Sequence, residues 1–474
     1  MKIDVQSIEK FFAILTILLF PMISSFGYAP KFLGGLGSEG SFYPAFALMV
    51  LILILSLYRR YILLPKKSNI LFLCLFLIMA FLSLLVNIDT IFTLYYQGTY
   101  AVNRAIVQYG SLVVYVCIAL SFFVFFTERE NALLFFSKWI IGAAIISAVY
   151  SFFELGALFD NSIFLEVRTF LDSLFRANES GGLIATYERG VRSMTAEASC
   201  LGLFSGIVLP WLLSNMMLAH GMKKLFLGCL VVFYIIFNVF SVSRTAYFVF
   251  GIEMFIWFLA MRKLISMKLI AEIVLGVMLL FASFAQFSSN NELLDRIDIS
   301  NTIESVFEND MQTSASNVAR YGAQKAALGV FYDHPILGVG YGEFGYYAAD
   351  YYPNEAWISG EIQNWGLNSV PGTWPMSHNL YARLLADTGI LGGVAWILFE
   401  LALVYKLFSA ANCLTNNDDA IYMKSLAISM IGIMIFSIAS DGMRIIALWV
   451  IIGLSWSQLS RLSKKKPTNE ESID

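Results

Sequence analysis

Charged residues are scarce in this sequence. Only 14% of its 474 residues are charged, whereas a soluble domain carries about 25%. The apolar residues come in long blocks, each of a length that spans a bilayer core as a helix. The scarcity of charge and the length of these blocks exclude an ordinary soluble protein and predict one large helical membrane domain.

Cysteine is also scarce, and its positions follow no pattern. The five cysteines are Cys74, Cys117, Cys200, Cys229 and Cys413. They show no Cys-x-x-Cys spacing and no paired framework, so the sequence supports neither a disulfide scaffold nor a zinc site. Internal repeats are absent as well, and low complexity is confined to the Lys-rich tail.

Twelve apolar blocks predict about twelve transmembrane helices, because a lipid-exposed backbone must satisfy its own hydrogen bonds. The blocks lie near 11–29, 42–58, 70–87, 106–126, 139–159, 198–219, 225–242, 245–261, 269–286, 388–408, 425–440 and 445–460. The first block has no small-residue cleavage site and further spans follow it, so we interpret it as an uncleaved helix rather than a signal peptide. The predicted fold is an all-α polytopic membrane protein.

Polar segments divide the chain. We predict helices 1–9 within 1–286 with a polar loop near 160–197, a large loop over 287–387, helices 10–12 within 388–460 and a tail over 461–474. Stretches 316–331 and 376–387 of the large loop are predicted to be helical. The first stretch places Val318, Ala319, Ala323, Ala326, Ala327 and Val330 on roughly one face.

Basic residues predict the orientation. With both termini in the cytoplasm, the short cytoplasmic loops carry 19 of the 31 basic residues, of which 14 are lysines. The positive-inside rule therefore places the two long loops outside. The other face has ten arginines and two lysines. Arginine grips phosphate with a planar fork, so this enrichment indicates an anionic ligand on the outer side; pairing with outer carboxylates is the alternative.

Several short motifs lie on that outer side. Ser243-Arg244-Thr245 lies at the junction of two spans. The large loop contains Arg320-Tyr321-Gly322, then Asp333-His334-Pro335-Ile336-Leu337-Gly338-Val339-Gly340, then Ser377-His378-Asn379, and after nine further residues Gly389-Ile390-Leu391-Gly392. Their order, their spacing and their shared face are more specific than any one of them.

This set resembles the O-antigen polymerase and O-antigen ligase superfamily over roughly residues 190–400. The resemblance implies a GT-C-like glycosyltransferase with many membrane helices and a long helical periplasmic loop. It implies a polyprenyl-diphosphate-linked oligosaccharide as donor, with no metal and no cofactor. In these roles Arg244 and Arg320 hold the diphosphate, and His378 assists the acceptor hydroxyl.

The residues themselves agree with this chemistry. A leaving diphosphate is stabilised by a metal or by arginines, and no Asp-x-Asp motif occurs on the outer segments. An imidazole can accept a proton near neutral pH. The alternative role for His378 is a helix cap or an interfacial hydrogen bond. The alternative for Arg244 is a tight turn at headgroup level.

Further residues complete the candidate site. Arg192 and Arg444 are candidates for binding the diphosphate, although Asp441 is an alternative partner of Arg444. Glu197 is a candidate second base that could instead cap a helix N-terminus, where negative charge is favoured. Tyr321, Tyr341, Trp374 and Asn379 are candidates for sugar binding, since flat rings stack on sugars. An interfacial aromatic belt is the other explanation.

The sequence features are compatible with three functions. The first is a polymerase that joins lipid-linked repeat units on the periplasmic face of a bacterial inner membrane, with membrane lipid and a chain-length regulator protein as partners and no nucleic acid. The second is a ligase that moves a glycan to a lipid A core or a protein. The third, from another class, is a flippase or transporter, which would place polar or broken helices at mid-membrane.

Overall fold

The computed structural model describes residues 5–28, 30, 36–61, 63–159, 161–175, 190–263, 315–367 and 373–465. Over these ranges the chain is helical apart from loops, turns and one two-stranded hairpin. The prediction of an all-α polytopic membrane protein is confirmed.

The elements follow one another along the chain. They are α1 (Val5–Leu18), α2 (Phe42–Arg59), α3 (Lys67–Val86), α4 (Ile88–Thr93), β1 (Tyr95–Tyr96), β2 (Thr99–Tyr100), α5 (Ala101–Thr127), α6 (Ala132–Leu158), α7 (Ser162–Phe175), α8 (Ala198–Leu218), α9 (Gly221–Phe240), α10 (Arg244–Met261), α11 (Ala315–Asp333), α12 (Ala348–Tyr351), α13 (Gly360–Gly366), α14 (Leu380–Asn412), α15 (Asn417–Phe436) and α16 (Ile446–Lys465), with short 3₁₀ helices at Phe344–Tyr346 and Asn354–Ile358.

Nine helices in the described ranges are long and apolar enough to cross a membrane, namely α2, α3, α5, α6, α8, α9, α10, α14 and α15, and α16 contains a shorter apolar helix over Ile446–Leu462. The predicted span 269–286 lies outside the described residues. The predicted span 11–29 is too long, because α1 ends at Leu18. Pro21 follows closely and has no N–H with which to continue a helix.

The two ends of the helical bundle are distinguished by their contacts. At one end, which we call the basic end, cationic side chains tie neighbouring helices together: Arg59 pairs with Glu128, Arg461 donates to the carbonyls of Thr127 and Glu130, Lys406 to that of Ser68, and Lys424 to that of Ala260. The opposite end carries the connections 334–344, 377–380 and 437–444, and we call it the site end.

A second, smaller core is built on α11. Its buried face consists of Val318, Ala319, Ala323, Ala326, Ala327 and Val330, as the residue spacing predicts. This face packs against α12, α13 and the start of α14. The predicted helix 376–387 begins at Leu380 and continues directly into the membrane span as one long element.

Two glycines allow α14 to break and to dock on the 334–344 segment. Gly389 interrupts α14 with a φ of 63°, and Gly338 has a φ of 67°. The Val339 and Gly340 amides donate to the Ala386 and Asp387 carbonyls, and the Ile390 amide donates to the Pro335 carbonyl, at 2.8–3.0 Å. These hydrogen bonds satisfy backbone N–H and C=O groups that lose their helical partners at the break. We call this contact the glycine seam.

Candidate functional site

His378 lies in a backbone corner just before α14. Its φ of 53° is in the left-handed region, and its neighbours fix it from both sides. The Ser377 amide donates to the Asp441 carboxylate at 2.9 Å, and the Leu380 amide contacts the carbonyls of Ser437 and Ser440 at 2.8 and 3.0 Å. The corner is therefore docked on the segment between α15 and α16.

The His378 imidazole faces α13. Its Nε2 atom lies 3.5 Å from Oε1 of Glu361, and its ring centroid is 5.7 Å from that of Trp365. Nε2 is buried and makes no hydrogen bond within the described residues, and no hydrogen bond there involves Nδ1. The Glu361 carboxylate is thus close to Nε2 without a hydrogen bond to it, and a base beside a carboxylate can use its other nitrogen for proton transfer. Glu361 was not singled out from the sequence, because nothing in its local pattern marks it as a neighbour of His378.

Asn379, just before α14, and Tyr321, on α11, are both candidates for sugar binding but differ in how their side chains are used. The Asn379 side chain accepts a hydrogen bond from the Ala382 amide at 3.1 Å and so caps α14. The Tyr321 side chain is 42% exposed on α11, with the Lys325 ammonium 5.4 Å from its ring centroid. Tyr321 thus keeps an accessible ring, whereas Asn379 has a structural role in starting the helix.

Arg320 lies close to the corner on α11. Gln324, one helical turn further along, has its amide nitrogen 3.5 Å from the His378 carbonyl. Arg320 is half-buried, and among the described residues no ion pair or hydrogen bond involves its side chain. Arg320 therefore lies one helical turn from the residue that contacts the His378 backbone, and its guanidinium has no ion pair within the described residues.

Arg244 is the first residue of α10, and Ser243 caps that helix by accepting from the Ala246 amide. Helices α10 and α15 are antiparallel, because Lys424 meets the Ala260 carbonyl and Gly432 faces Glu253. The same register places Arg244, at the start of α10, near the level at which α15 ends and the segment that docks the His378 corner begins. Within the described residues no ion pair involves Arg244.

Arg192 and Glu197 belong to the loop before α8. Arg192 is buried and donates to the Ala196 carbonyl at 3.0 Å. The amides of Arg192 and Ser193 donate to the Glu154 carboxylate. Glu197 is exposed and precedes α8, and its side chain makes no capping hydrogen bond. The Arg192 guanidinium thus contributes to holding this loop, whereas the Glu197 carboxylate remains accessible.

A small, partly open cavity lies beside the start of α14. It is lined by Gln108, Ser111, Leu112, Tyr115, Tyr341, Leu380, Arg383, Leu384, Gly442, Met443 and Arg444. The hydroxyl of Tyr115 is buried without a hydrogen-bond partner among the described residues. The hydroxyl of Tyr341 contacts the Met443 sulfur at 3.5 Å, and burial raises the pKa of Tyr341 to about 12. Neutral phenols and guanidiniums therefore share one cavity.

The cavity arginines differ in how they are held. Nε of Arg383 lies 3.2 Å from the buried Asp387 carboxylate, and its Nη1 donates to the Asp441 carbonyl at 3.0 Å. Arg444 has no ion pair or hydrogen bond among the described residues. Asp441, the alternative partner, accepts from Ser377 instead. Arg444 is therefore available to a ligand.

Arg104 joins these two arginines from α5. Its Nε donates to the Gly342 carbonyl at 3.0 Å, and its guanidinium lies 3.6 Å from the Trp374 ring centroid. It is close enough to Arg383 and Arg444 to be repelled by both. The Arg104 guanidinium covers one face of Trp374, while the rings of Tyr96 and Tyr346 pack edge-on against it.

Glu343 is buried beneath these arginines. Neither of its carboxylate oxygens has a hydrogen-bond partner among the described residues. Burial and the neighbouring Asp387 raise the pKa of Glu343 to about 8, although Arg104 and Arg383 oppose the shift. The Glu343 carboxyl is consequently neutral at pH 7, so it does not cancel the arginine charges. In the described ranges no cluster of three or more His, Cys, Asp or Glu side chains is arranged to hold a metal.

The comparison with protein families identifies one match. Residues 229–397 match the family described as O-antigen ligase, which confirms the predicted superfamily over the segment that carries most of the motifs. Among curated proteins, none matches the sequence. The family indicates an O-antigen polymerase or ligase type of function within lipopolysaccharide biosynthesis, carried out by glycosyl transfer.

Proposed function

We propose that this chain, whose residues 229–397 match the O-antigen ligase family, is a metal-independent polymerase of the GT-C type. It joins polyprenyl-diphosphate-linked oligosaccharide repeat units on the periplasmic face of a bacterial inner membrane. The basic end of the bundle faces the cytoplasm, in keeping with the positive-inside rule, and the site end faces the periplasm.

In the proposed reaction, a hydroxyl at the nonreducing end of one repeat unit attacks the anomeric carbon of a second glycan. The bond between that carbon and the diphosphate oxygen breaks, and the polyprenyl diphosphate leaves with the bonding electrons. His378 accepts the hydroxyl proton through Nδ1, while Glu361 orients the ring through Nε2. Arg244 and Arg320 stabilise the charge that develops on the diphosphate. Tyr321 offers its exposed ring to a sugar.

The observation that carries this proposal is the docked corner at His378. A histidine that is held by a backbone corner, turned toward a carboxylate and accompanied by the unpaired Arg320 has the parts of an acid–base site for an anionic leaving group. Arg244, at the same level of the bundle, adds a second guanidinium.

Reconstitution tests the proposal. The purified protein in lipid vesicles is supplied with a defined lipid-linked repeat unit, and product length is measured on gels. We expect ladders of two or more units from the wild-type protein and none from His378→Ala, Arg320→Ala or Arg244→Ala, each checked for normal elution in detergent. EDTA should not change the rate. Ladders from all three variants, or no ladder from the wild-type protein, would refute the proposal.

A ligase is the second candidate, because the matched family is described by that activity. A ligase would transfer a single finished glycan from the lipid diphosphate to a lipid A core. In the same vesicles, supply of a lipid A core acceptor would then yield a single-transfer product, and its omission would abolish turnover.

A further inference from the structure

The arginines near the site form two groups on different faces of the first turns of α14. The cavity group comprises Arg104, Arg383 and Arg444. The side chains of Leu380, Arg383 and Leu384 face the cavity and α5, as residues three and four apart on a helix do. The His378 imidazole instead faces Glu361 and Trp365 on α13. The cavity group and the His378 imidazole thus lie on different sides of the start of one helix.

The cavity group has more positive charge than its protein neighbours balance. Arg383 is paired with Asp387, but Arg104 is bonded to a neutral carbonyl and Arg444 has no ion pair among the described residues. The nearby Glu343 carboxyl is buried and has a pKa of about 8, so it is mostly neutral at pH 7. The unbonded Tyr115 hydroxyl and the Gln108 side chain also face the cavity. This set of donors fits a polar anion.

The depth of the cavity indicates an anion attached to a lipid. Tyr115 stacks on Trp449 at 5.8 Å, and Gly453 abuts Ala119, so α5 and α16 run in parallel. Arg444, just before α16, lines the cavity together with Gln108 and Ser111, about one helical turn inside the span predicted from residue 106. A charged group at that depth needs a partner. The diphosphate of a membrane lipid is an anion within reach of this level.

We propose, on the basis of the proposed function, that the cavity group binds the diphosphate of the acceptor lipid, whereas Arg244 and Arg320 bind that of the donor. A polymerase must hold two lipid diphosphates at once, one that leaves and one that stays attached. The reacting hydroxyl of the acceptor is at the far end of its glycan. The acceptor diphosphate therefore belongs away from the imidazole, and the cavity on the other face of α14 meets that requirement.

The test separates the two headgroups. The donor is a lipid-linked repeat unit with a capped nonreducing end, so that it can only donate. The acceptor is the same repeat unit, either on a polyprenyl diphosphate or on a phosphate-free alkyl chain. We expect the wild-type protein to favour the diphosphate acceptor in kcat/KM. Arg444→Gln and Arg104→Gln should lower that preference by about tenfold or more, the effect of losing a charge-assisted hydrogen bond.

Controls distinguish the possible failures. Arg444→Lys keeps the charge and should retain more of the preference than Arg444→Gln. Arg262→Gln, at the basic end, should behave as wild type. Arg320→Ala should abolish transfer to both acceptors alike. An equal loss on both acceptors in Arg444→Gln and Arg104→Gln, or no preference in the wild-type protein, would overturn the acceptor site alone. No transfer to either acceptor by the wild-type protein would refute the proposed function and the acceptor site with it.

Discussion

Replacing Gly389 by alanine should open the glycine seam and inactivate the protein. A Cβ atom at Gly389 would lie 2.2 Å from the carbonyl carbon and oxygen of Ile336. These are backbone atoms of a packed segment and cannot rotate away as a side chain can. The backbone of Gly389 also has φ 63° and ψ −169°, a region that only glycine adopts readily. Alanine is therefore excluded by two independent effects.

The contacts of the glycine seam set the stability that Gly389→Ala would lose. An L-residue at this φ and ψ costs about 1–3 kcal/mol. Separation of the two segments would weaken three backbone hydrogen bonds, each worth about 0.5–1.5 kcal/mol. The loss is therefore roughly 3–7 kcal/mol. By the scaling for soluble domains, this lowers the unfolding midpoint by on the order of 10 °C.

Thermal unfolding in detergent, followed by tryptophan fluorescence, measures this effect. The matched control is Gly251→Ala in α10, where an added Cβ meets nothing within 4 Å and should change stability by about 1 kcal/mol or less. Gly338→Ala should resemble Gly389→Ala, since its Cβ would lie 2.4 Å from the Ala386 carbonyl oxygen. The double variant with alanine at both Gly338 and Gly389 should lose less stability than the sum of the two single losses, because both substitutions disrupt the same glycine seam. A Gly389→Ala midpoint equal to that of Gly251→Ala would refute the reasoning.

Two further predictions concern carboxyl groups. Glu361→Gln should lower kcat by about tenfold or more with little change in KM for the lipid donor, because this carboxylate orients His378 without touching the diphosphate; a loss confined to KM would contradict its role. Glu343→Gln should make stability less dependent on pH. The pKa of Glu343 is raised from 4.5 to about 8 in the folded protein, so the folded state binds more protons between these values and stability falls as pH rises through them. The variant should therefore unfold at a higher temperature than wild type at pH 9 but not at pH 5. Part of the dependence of stability on pH should remain, because Glu39 also has a pKa of about 8. Equal unfolding midpoints at pH 9 would contradict this account.

Hydropathy predicts the helices of this protein well, because membrane burial depends on local composition alone. It predicts their ends less well. Pro21 ends α1 well before the apolar block ends. In contrast, the break at Gly389 lies inside α14, which the sequence predicts as two elements, a helix of the large loop followed by a transmembrane span. Whether a glycine interrupts a helix depends on what packs against it, and here that partner, Ile336, is 53 residues earlier in the chain.

The candidate site was predictable in part, for the same reason. The order and spacing of motifs singled out Arg244, Arg320 and His378, with Arg444 as a further candidate, and the structure places each of them at the site end. Arg104 and Arg383 were recognisable from the sequence only as members of the predicted outer arginine set. Which face of a helix an arginine occupies relative to a cavity is decided here by how α5 packs against α16 and faces α14 across the cavity, and no local pattern encodes it.

The proposed chemistry of this protein lies where helices are interrupted. Segment 334–344 is bound to α14 by backbone hydrogen bonds, and segment 377–380 and the first turn of α14 are bound to segment 437–444 by hydrogen bonds of which at least one partner is a main-chain group. A main-chain hydrogen bond restrains the position of a segment more tightly than a contact of an exposed side chain does, because fewer rotatable bonds lie between the contacting group and the backbone. The guanidinium of Arg383 is consequently held in place before any ligand arrives, and the His378 ring is carried by a docked corner. An anion that binds here has little reorganisation to drive, which is the condition under which fixed charges stabilise a developing negative charge most strongly.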